Sequence, residues 1–309
     1  MSAIRLLTPS DVDDVVEAVA RDQDLASRMN PFIDAGLDRD ELGDSYRRRH
    51  APTWIALDGT RLVGHLTATA LQRPSGRVSA WISPDAVSFH DVATLGALYA
   101  FAGARWLADG IEDHEVWTYD RPDTREPWLE LGFAQGFRRG CLELTSRGEP
   151  TWPPGYRLRR GTRDDLDLAL RFNDLLDQED AAGPSFARPE PFDRDGLEET
   201  LDDPDTFHAV VEYGGSPVAQ AIVFPLLPVR GAHERTVHVS AVVVEPSHRG
   251  RGVATAMLDE LAAGARQQGF QYADVTWRTA NLAAAAFWRA YGVSATYVRL
   301  QRRLGDDAT

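Results

Sequence analysis

Val237-His238-Val239-Ser240-Ala241-Val242-Val243-Val244-Glu245-Pro246-Ser247-His248-Arg249-Gly250-Arg251-Gly252-Val253-Ala254 is the stretch that decides how this chain is read. The β-branched run up to Val244 has the composition of a buried strand, and Pro246 ends it. A small-residue loop then leads into a helix expected from Ala254 to about Gln267. A glycine-rich loop at a helix N-terminus is an anion site. Its unpaired N–H groups and the helix dipole point at the ligand, and the missing side chains let the backbone approach closely. A second block follows: Ala273–Trp277 reads as a strand, and Asn281 to Val293 as a helix closed by Gly292. Asn281, Ala284, Ala285 and Trp288 share one face of it by i, i+3, i+4, i+7 spacing.

Arg249-Gly250-Arg251-Gly252-Val253-Ala254, with the strand and Pro246 before it, fits the Q/R-x-x-G-x-G/A motif. On these residues the C-terminal half, roughly Gly155 to Leu304, resembles the GNAT superfamily of acetyl-CoA-dependent N-acyltransferases. The second block is similar to that family's N-x-x-A-x-x-(L/F)-Y-x-x-x-G-F signature. The resemblance implies acetyl-CoA as co-substrate, with its pyrophosphate on the amides of Arg249, Gly250, Arg251, Gly252, Val253, Ala254 and Thr255. It implies that the backbone of Val242, Val243 and Val244 pairs with the pantetheine arm. Asn281, Ala284, Phe287 and Trp288 would contact the same molecule. The implied reaction is direct transfer of an acetyl group to the primary amine of a small molecule or peptide. A catalytically weak or inactive CoA-binding regulatory or scaffold protein is the alternative.

The chain departs from the family where a tyrosine would protonate the leaving thiolate, because Trp288 stands there. An indole N–H donates a hydrogen bond but is not an ordinary acid. Tyr291, three residues on, is either that acid or a core residue. Aligned through the strand, His238 takes the position of the family's general base. Histidine titrates near neutrality and suits the removal of a proton from an attacking ammonium, though it can equally serve a neighbour as a hydrogen-bond partner. Ser240 shares its face by alternation and is a candidate proton relay. A loop from Gln178 to Gly196 carries Glu179, Asp180, Glu190, Asp193 and Asp195 with Phe186 and Phe192; it either walls an amine site or is a solvated acidic loop.

Along the whole chain the same order of elements occurs twice. Val92-Ala93-Thr94 and Gly103-Ala104-Arg105 recur as Val253-Ala254-Thr255 and Gly264-Ala265-Arg266, in both cases 161 residues apart. Strand–helix openings at Arg5-Leu6 and Arg157-Leu158 match, with Ser10 and Thr162 as expected N-caps. Hairpins turning at Asp58-Gly59 and Gly214-Gly215 match as well. The expected architecture is therefore α/β: two tandem GNAT-like domains, each a twisted mixed sheet flanked by helices. Their expected limits are residues 1–145 and 156–305, joined by a Pro/Gly-rich linker at 146–155. In the first copy Ser88-Phe89-His90-Asp91 replaces the glycine loop, putting a carboxylate where a pyrophosphate would sit. Pro127 is expected to interrupt its last helix. That copy reads as degenerate and without CoA.

Composition narrows the partners. Thirty-three basic residues, all arginine, against 47 acidic ones leave a net charge of −14. Such a balance argues against nucleic acid or anionic membrane as the partner. No apolar run is long enough to span a bilayer and no signal peptide is evident. The single cysteine, Cys141, allows no intramolecular disulfide and no cysteine metal site, which fits a reducing cytoplasm. No metal site and no oligomeric state are indicated.

Overall fold

The computed structural model describes residues 3–73, 75–184, 194–226 and 230–304. The elements run β1 (Ala3–Leu6), α1 (Val12–Met29), α2 (Arg39–Arg48), β2 (Trp54–Asp58), β3 (Arg61–Leu66), β4 (Thr69–Gln72), β5 (Val78–Ile82), β6 (Val87–Phe89), α3 (Val92–Ala108), β7 (Asp113–Tyr119), α4 (Pro122–Glu130) and β8 (Ala134–Glu143). They continue with β9 (Tyr156–Arg160), α5 (Leu166–Ala181), α6 (Arg194–Asp202), β10 (Phe207–Tyr213), β11 (Ser216–Pro225), β12 (Thr236–Val244), α7 (Val253–Gln267), β13 (Tyr272–Arg278), α8 (Leu282–Tyr291) and β14 (Ser294–Arg303).

The chain forms two compact units that do not simply follow chain order. Unit 1 takes the residues up to Arg138, the short piece Arg230–Ala232 and everything from Thr296 onward. Unit 2 takes the rest, from Arg139 to Ala295. The division expected at 146–155 therefore differs from the compact units at both ends. The final strand β14 joins unit 1, and the end of β8 joins unit 2. The expected linker is not a free tether either. Arg147 pairs with Asp259 at 2.9 Å, and the Trp152 indole donates to Glu260 at 2.5 Å, so it is laid along α7.

Each unit is α/β, with mixed sheets flanked by helices. Unit 1 has strands β1-β2-β3-β6 in one sheet and the order β4-β5-β7-β14 in the other. β5 and β7 are parallel, and β14 runs antiparallel to β7. Its main core packs Leu66, Ile82, Leu95, Leu98, Val116 and Trp128 together. Unit 2 has the order β8-β13-β12-β11-β10-β9, in which β9 to β12 run antiparallel to their neighbours and β12 and β13 are parallel.

Both copies begin with the same device. Arg5 grips Asp11 through two 2.7 Å bonds, while Asp11 accepts from the Thr8 amide at 2.8 Å. Arg159 grips Asp165 at 2.8 and 2.7 Å, and Asp165 accepts from the Thr162 amide at 2.8 Å. Both carboxyls are held well below the ordinary carboxylate range, chiefly by the arginine bond. Thr162 caps as expected. In the first copy the cap is Thr8 and not Ser10, because Asp11 completes a capping box only with the residue three before it. Pro127 does not interrupt α4. The helix runs through it, anchored by the fully buried Trp128 against Tyr99 and Phe133.

Candidate active site

The site in unit 2 begins where two strands part. β12 and β13 pair in register from Thr236↔Tyr272 to Val239↔Val275 and no further. β12 continues to Val244. The edge of Ser240–Val244 that faced β13 is thus left without that partner. On its other side β12 carries a bulge: Ala241 and Val242 together face Ala221 of β11, and Ala241 is held at φ 49°. The extra residue changes which side chains face α7. Val237 and Val239 pack on that side before the bulge, and Val242 and Val244 after it. His238 lies against Phe224 on the opposite face, with ring centroids 5.3 Å apart.

The strand empties into one 3-10 turn, Pro246–His248, and then into α7. Gly250 and Gly252 sit at φ 69° and 83°, a region that costs a residue with a Cβ about 1–2 kcal/mol. Gly252 is the N-cap, and no side chain caps the helix, so its first-turn N–H groups remain available to a ligand. The matching helix of unit 1 is closed: Asp91 caps α3 and accepts from the Thr94 amide at 2.7 Å.

A cleft of about 530 Å³ runs between these features. Val242, Val243, Val244, Arg249, Gly250, Gly252, Val253, Ala254, Thr255, Asn281, Ala284, Phe287 and Trp288 all line it. Arg251 lies exposed beside it. Leu176 and Glu179 of α5, His248 and Ala283 complete the lining; of these only Glu179 was singled out from the sequence, in the acidic segment. Glu179 and Asp180 were expected in a loop, but α5 runs through them to Ala181. The apolar spacing Leu166, Ala169, Phe172 and Leu176 was the available signal.

The cleft's polar side chains are already tied to one another. Arg249 donates to the Val244 carbonyl at 2.8 Å and pairs with Glu179. Asn281 caps α8 by accepting from the Ala284 amide at 3.0 Å, and its amide group donates to Asp180 at 3.3 Å. Asp180 also accepts from Arg278 at 2.6 Å. Nearby Asp177 has its carboxyl pushed up, first by burial and then by Asp180. His248 Nδ1 lies 2.9 Å from the Tyr156 hydroxyl.

His238 Nδ1 lies 2.7 Å from Asp274 Oδ1, and Asp274 Oδ2 accepts from Arg139 at 2.5 Å. The two residues are direct partners in the β12–β13 ladder, the last but one before it ends. Neither Asp274 nor Arg139 was singled out from the sequence. Ser240, two residues on, is half-buried.

Tyr291 does not reach the cleft. It is 6% exposed, its hydroxyl donates to Asp259 at 3.0 Å, and the Arg147 guanidinium lies 3.9 Å over its ring. Burial and the Asp259 charge push the phenol up, away from any acid role. Of the two readings of Tyr291, packing is the one its surroundings fit. Of the acidic segment, Asp195 belongs to α6, while Phe186, Glu190, Phe192 and Asp193 lie outside the described residues. Glu245 is turned away, onto Arg171 at 3.1 Å. Among the described residues no cluster of His, Cys, Asp and Glu is arranged to hold a metal, and no helix is long and apolar enough to cross a membrane.

Residues 172–293 match the acetyltransferase (GNAT) family model. The fold resembles a GCN5-related N-acetyltransferase from Sphaerobacter thermophilus at 18% identity and TM-score 0.62, over 99% of this chain and 97% of that one. It also resembles a tandem GNAT protein from the clavulanic acid biosynthesis pathway at 16% identity and TM-score 0.53, over 99% and 100%. A GCN5-related N-acetyltransferase from Kribbella flavida aligns over 92% and 98% of the two chains, at 16% identity and TM-score 0.50. No curated protein matches the sequence.

Proposed function

We propose, on the match of residues 172–293 to the acetyltransferase (GNAT) family model, that unit 2 transfers an acetyl group from acetyl-CoA to a primary amine by direct attack. The observation that carries this is the uncapped N-terminus of α7 at the mouth of a cleft walled by an unpartnered strand edge. Helix N–H groups at Gly252–Thr255 suit a pyrophosphate. The edge of Val242–Val244 that β13 does not pair suits the amides of a pantetheine arm, as an added strand would, with Arg249 moving off the Val244 carbonyl.

In the proposed step the amine nitrogen attacks the thioester carbonyl. A C–N bond forms, the C–S bond breaks, and the thiolate leaves with the electron pair. His238 takes the ammonium proton, directly or through water. Asp274 occupies its Nδ1 side and so leaves Nε2 as the acceptor. Ser240, on the same strand, is the candidate relay. Cys141 is buried with its thiol pushed up by desolvation, which disfavours an acyl-enzyme intermediate on it. Glu179 and Asp180 on α5 are already paired with Arg249 and Arg278, so a cationic acceptor, whether small molecule or peptide, would draw on Asp177 or displace one of those pairs. Unit 1 binds no CoA in this reading, since the Asp91 carboxylate already fills the start of α3.

The regulatory alternative draws support from Trp288 and the buried Tyr291, which leave the cleft without a phenolic acid. With an amine found by screening, His238→Ala should lower kcat/KM by about 100- to 10,000-fold at unchanged CoA affinity. Asp274→Asn should lower kcat/KM in the same direction, because the imidazole loses the carboxylate that holds its Nδ1 side. An unaltered kcat/KM in His238→Ala would remove the assignment.

A further inference from the structure

We propose that Trp288 is the wall that limits the length of the acyl group, an inference that rests on the acyl-CoA reading of the cleft. The phosphate end of the cleft is fixed by Gly250 and Gly252 at the start of α7. The β12–β13 ladder stops at Val239↔Val275, and Trp288 packs in one core cluster with both valines. It lines the cleft, and it also lines a separate small void together with Val239, Val275, Leu142, Leu144 and Leu258. The void measures about 20 Å³, room for about one water or methyl group. Apart from Asp274 and Tyr291, whose polar groups are bonded elsewhere, its walls are apolar side chains, so it suits hydrocarbon.

The apolar seam extends further. Val223, Val237 and Leu261 line the void on its far side, and the same three line a groove of about 500 Å³ on the surface of unit 2. Cleft, void and groove therefore share walls in sequence, and the indole is what stands between the first two. It is 6% exposed and braced within α8, edge-on to Phe287 at 5.0 Å and to Tyr291 at 6.3 Å. A braced ring at the acyl end admits an acetyl group and stops a longer chain. A smaller residue joins the void to the cleft and lets the chain continue into the seam.

The test needs no acceptor amine. Dissociation constants of acetyl-CoA and butyryl-CoA are measured by calorimetry for the wild type, Trp288→Phe and Trp288→Ala. Burying one methylene is worth about fourfold in affinity, so two are worth about 15-fold. The wild type should bind acetyl-CoA more tightly than butyryl-CoA. Trp288→Ala should shift the ratio toward butyryl-CoA by about 15-fold, with Trp288→Phe between. Should Trp288→Ala fail to fold, Trp288→Leu keeps an apolar core and carries the same measurement. Acetyl-CoA binding with a ratio unmoved across the variants would overturn the role of Trp288 alone. A wild type that binds neither acyl-CoA would overturn the underlying reading, and this inference with it.

Discussion

Gly252→Asp writes into α7 the residue that unit 1 has at the matching position, Asp91, and so separates fold from ligand binding. In unit 1 the aspartate caps its helix from an extended conformation, φ −153°. In unit 2 the glycine holds φ 83°, and a Cβ there would meet only the Pro153 ring, at 3.9 Å. The cost to folding is thus conformational: about 1–2 kcal/mol for a left-handed residue with a side chain. The capping bond forms only if the residue moves to the extended conformation of Asp91, which also removes that strain, so the cost stays within about 1–2 kcal/mol. The unfolding midpoint should move by no more than about 8 °C. Ligand binding has no such compensation. A carboxylate about 4 Å from a phosphate, at an effective dielectric of about 20, opposes it by about 4 kcal/mol, or roughly a thousandfold in affinity. Calorimetric titration with CoA, alongside thermal unfolding, reads both quantities. CoA affinity within tenfold of wild type in a folded variant would refute the placement of the anion site.

The same titration on the wild type should give one CoA per chain; a value near two would show that Asp91 does not close unit 1. Tyr291→Phe should leave kcat within about threefold and cost about 1–2 kcal/mol of stability, through its bond to Asp259. A hundredfold loss of kcat would restore it as the acid. His65 is fully buried between Tyr46 and Ser88, and desolvation lowers its imidazole from 6.5 to about 4. Between those values the unfolded state binds the proton and the folded state does not, so stability falls as pH drops from 6.5 to 4, by up to roughly 3 kcal/mol. Denaturant titration across that window should show the loss shrinking in His65→Asn; an equal loss in both proteins would contradict it.

The motif at Arg249–Ala254 and the helix after it were legible because glycine, proline and a β-branched run each carry a local backbone meaning. The duplication was legible for the same reason: Val92-Ala93-Thr94 and Val253-Ala254-Thr255 open α3 and α7 at the same point. What escaped was non-local. Asp274 becomes the partner of His238 only through a parallel register across 36 residues. The bulge at Ala241–Val242 lies in a run of valines and alanine, where no polar residue marks the phase. The transfer of β14 to unit 1 is a matter of strand pairing, which an alternating pattern leaves open. Tyr291 and Trp288 sit on one helix three residues apart, yet Asp259 on α7 draws the tyrosine hydroxyl into the core.

Acetyl transfer by unit 2 requires amine-dependent release of CoA thiol. Wild-type protein is mixed with acetyl-CoA and a panel of primary amines, including polyamines, amino sugars and peptides with free N-termini, and free thiol is followed with a disulfide chromogen. Release should run well above solvent hydrolysis with at least one cationic amine, and should be lost in both Gly252→Asp and His238→Ala. CoA binding at one site with no amine in the panel accelerating thiol release would contradict it and leave the regulatory reading in its place.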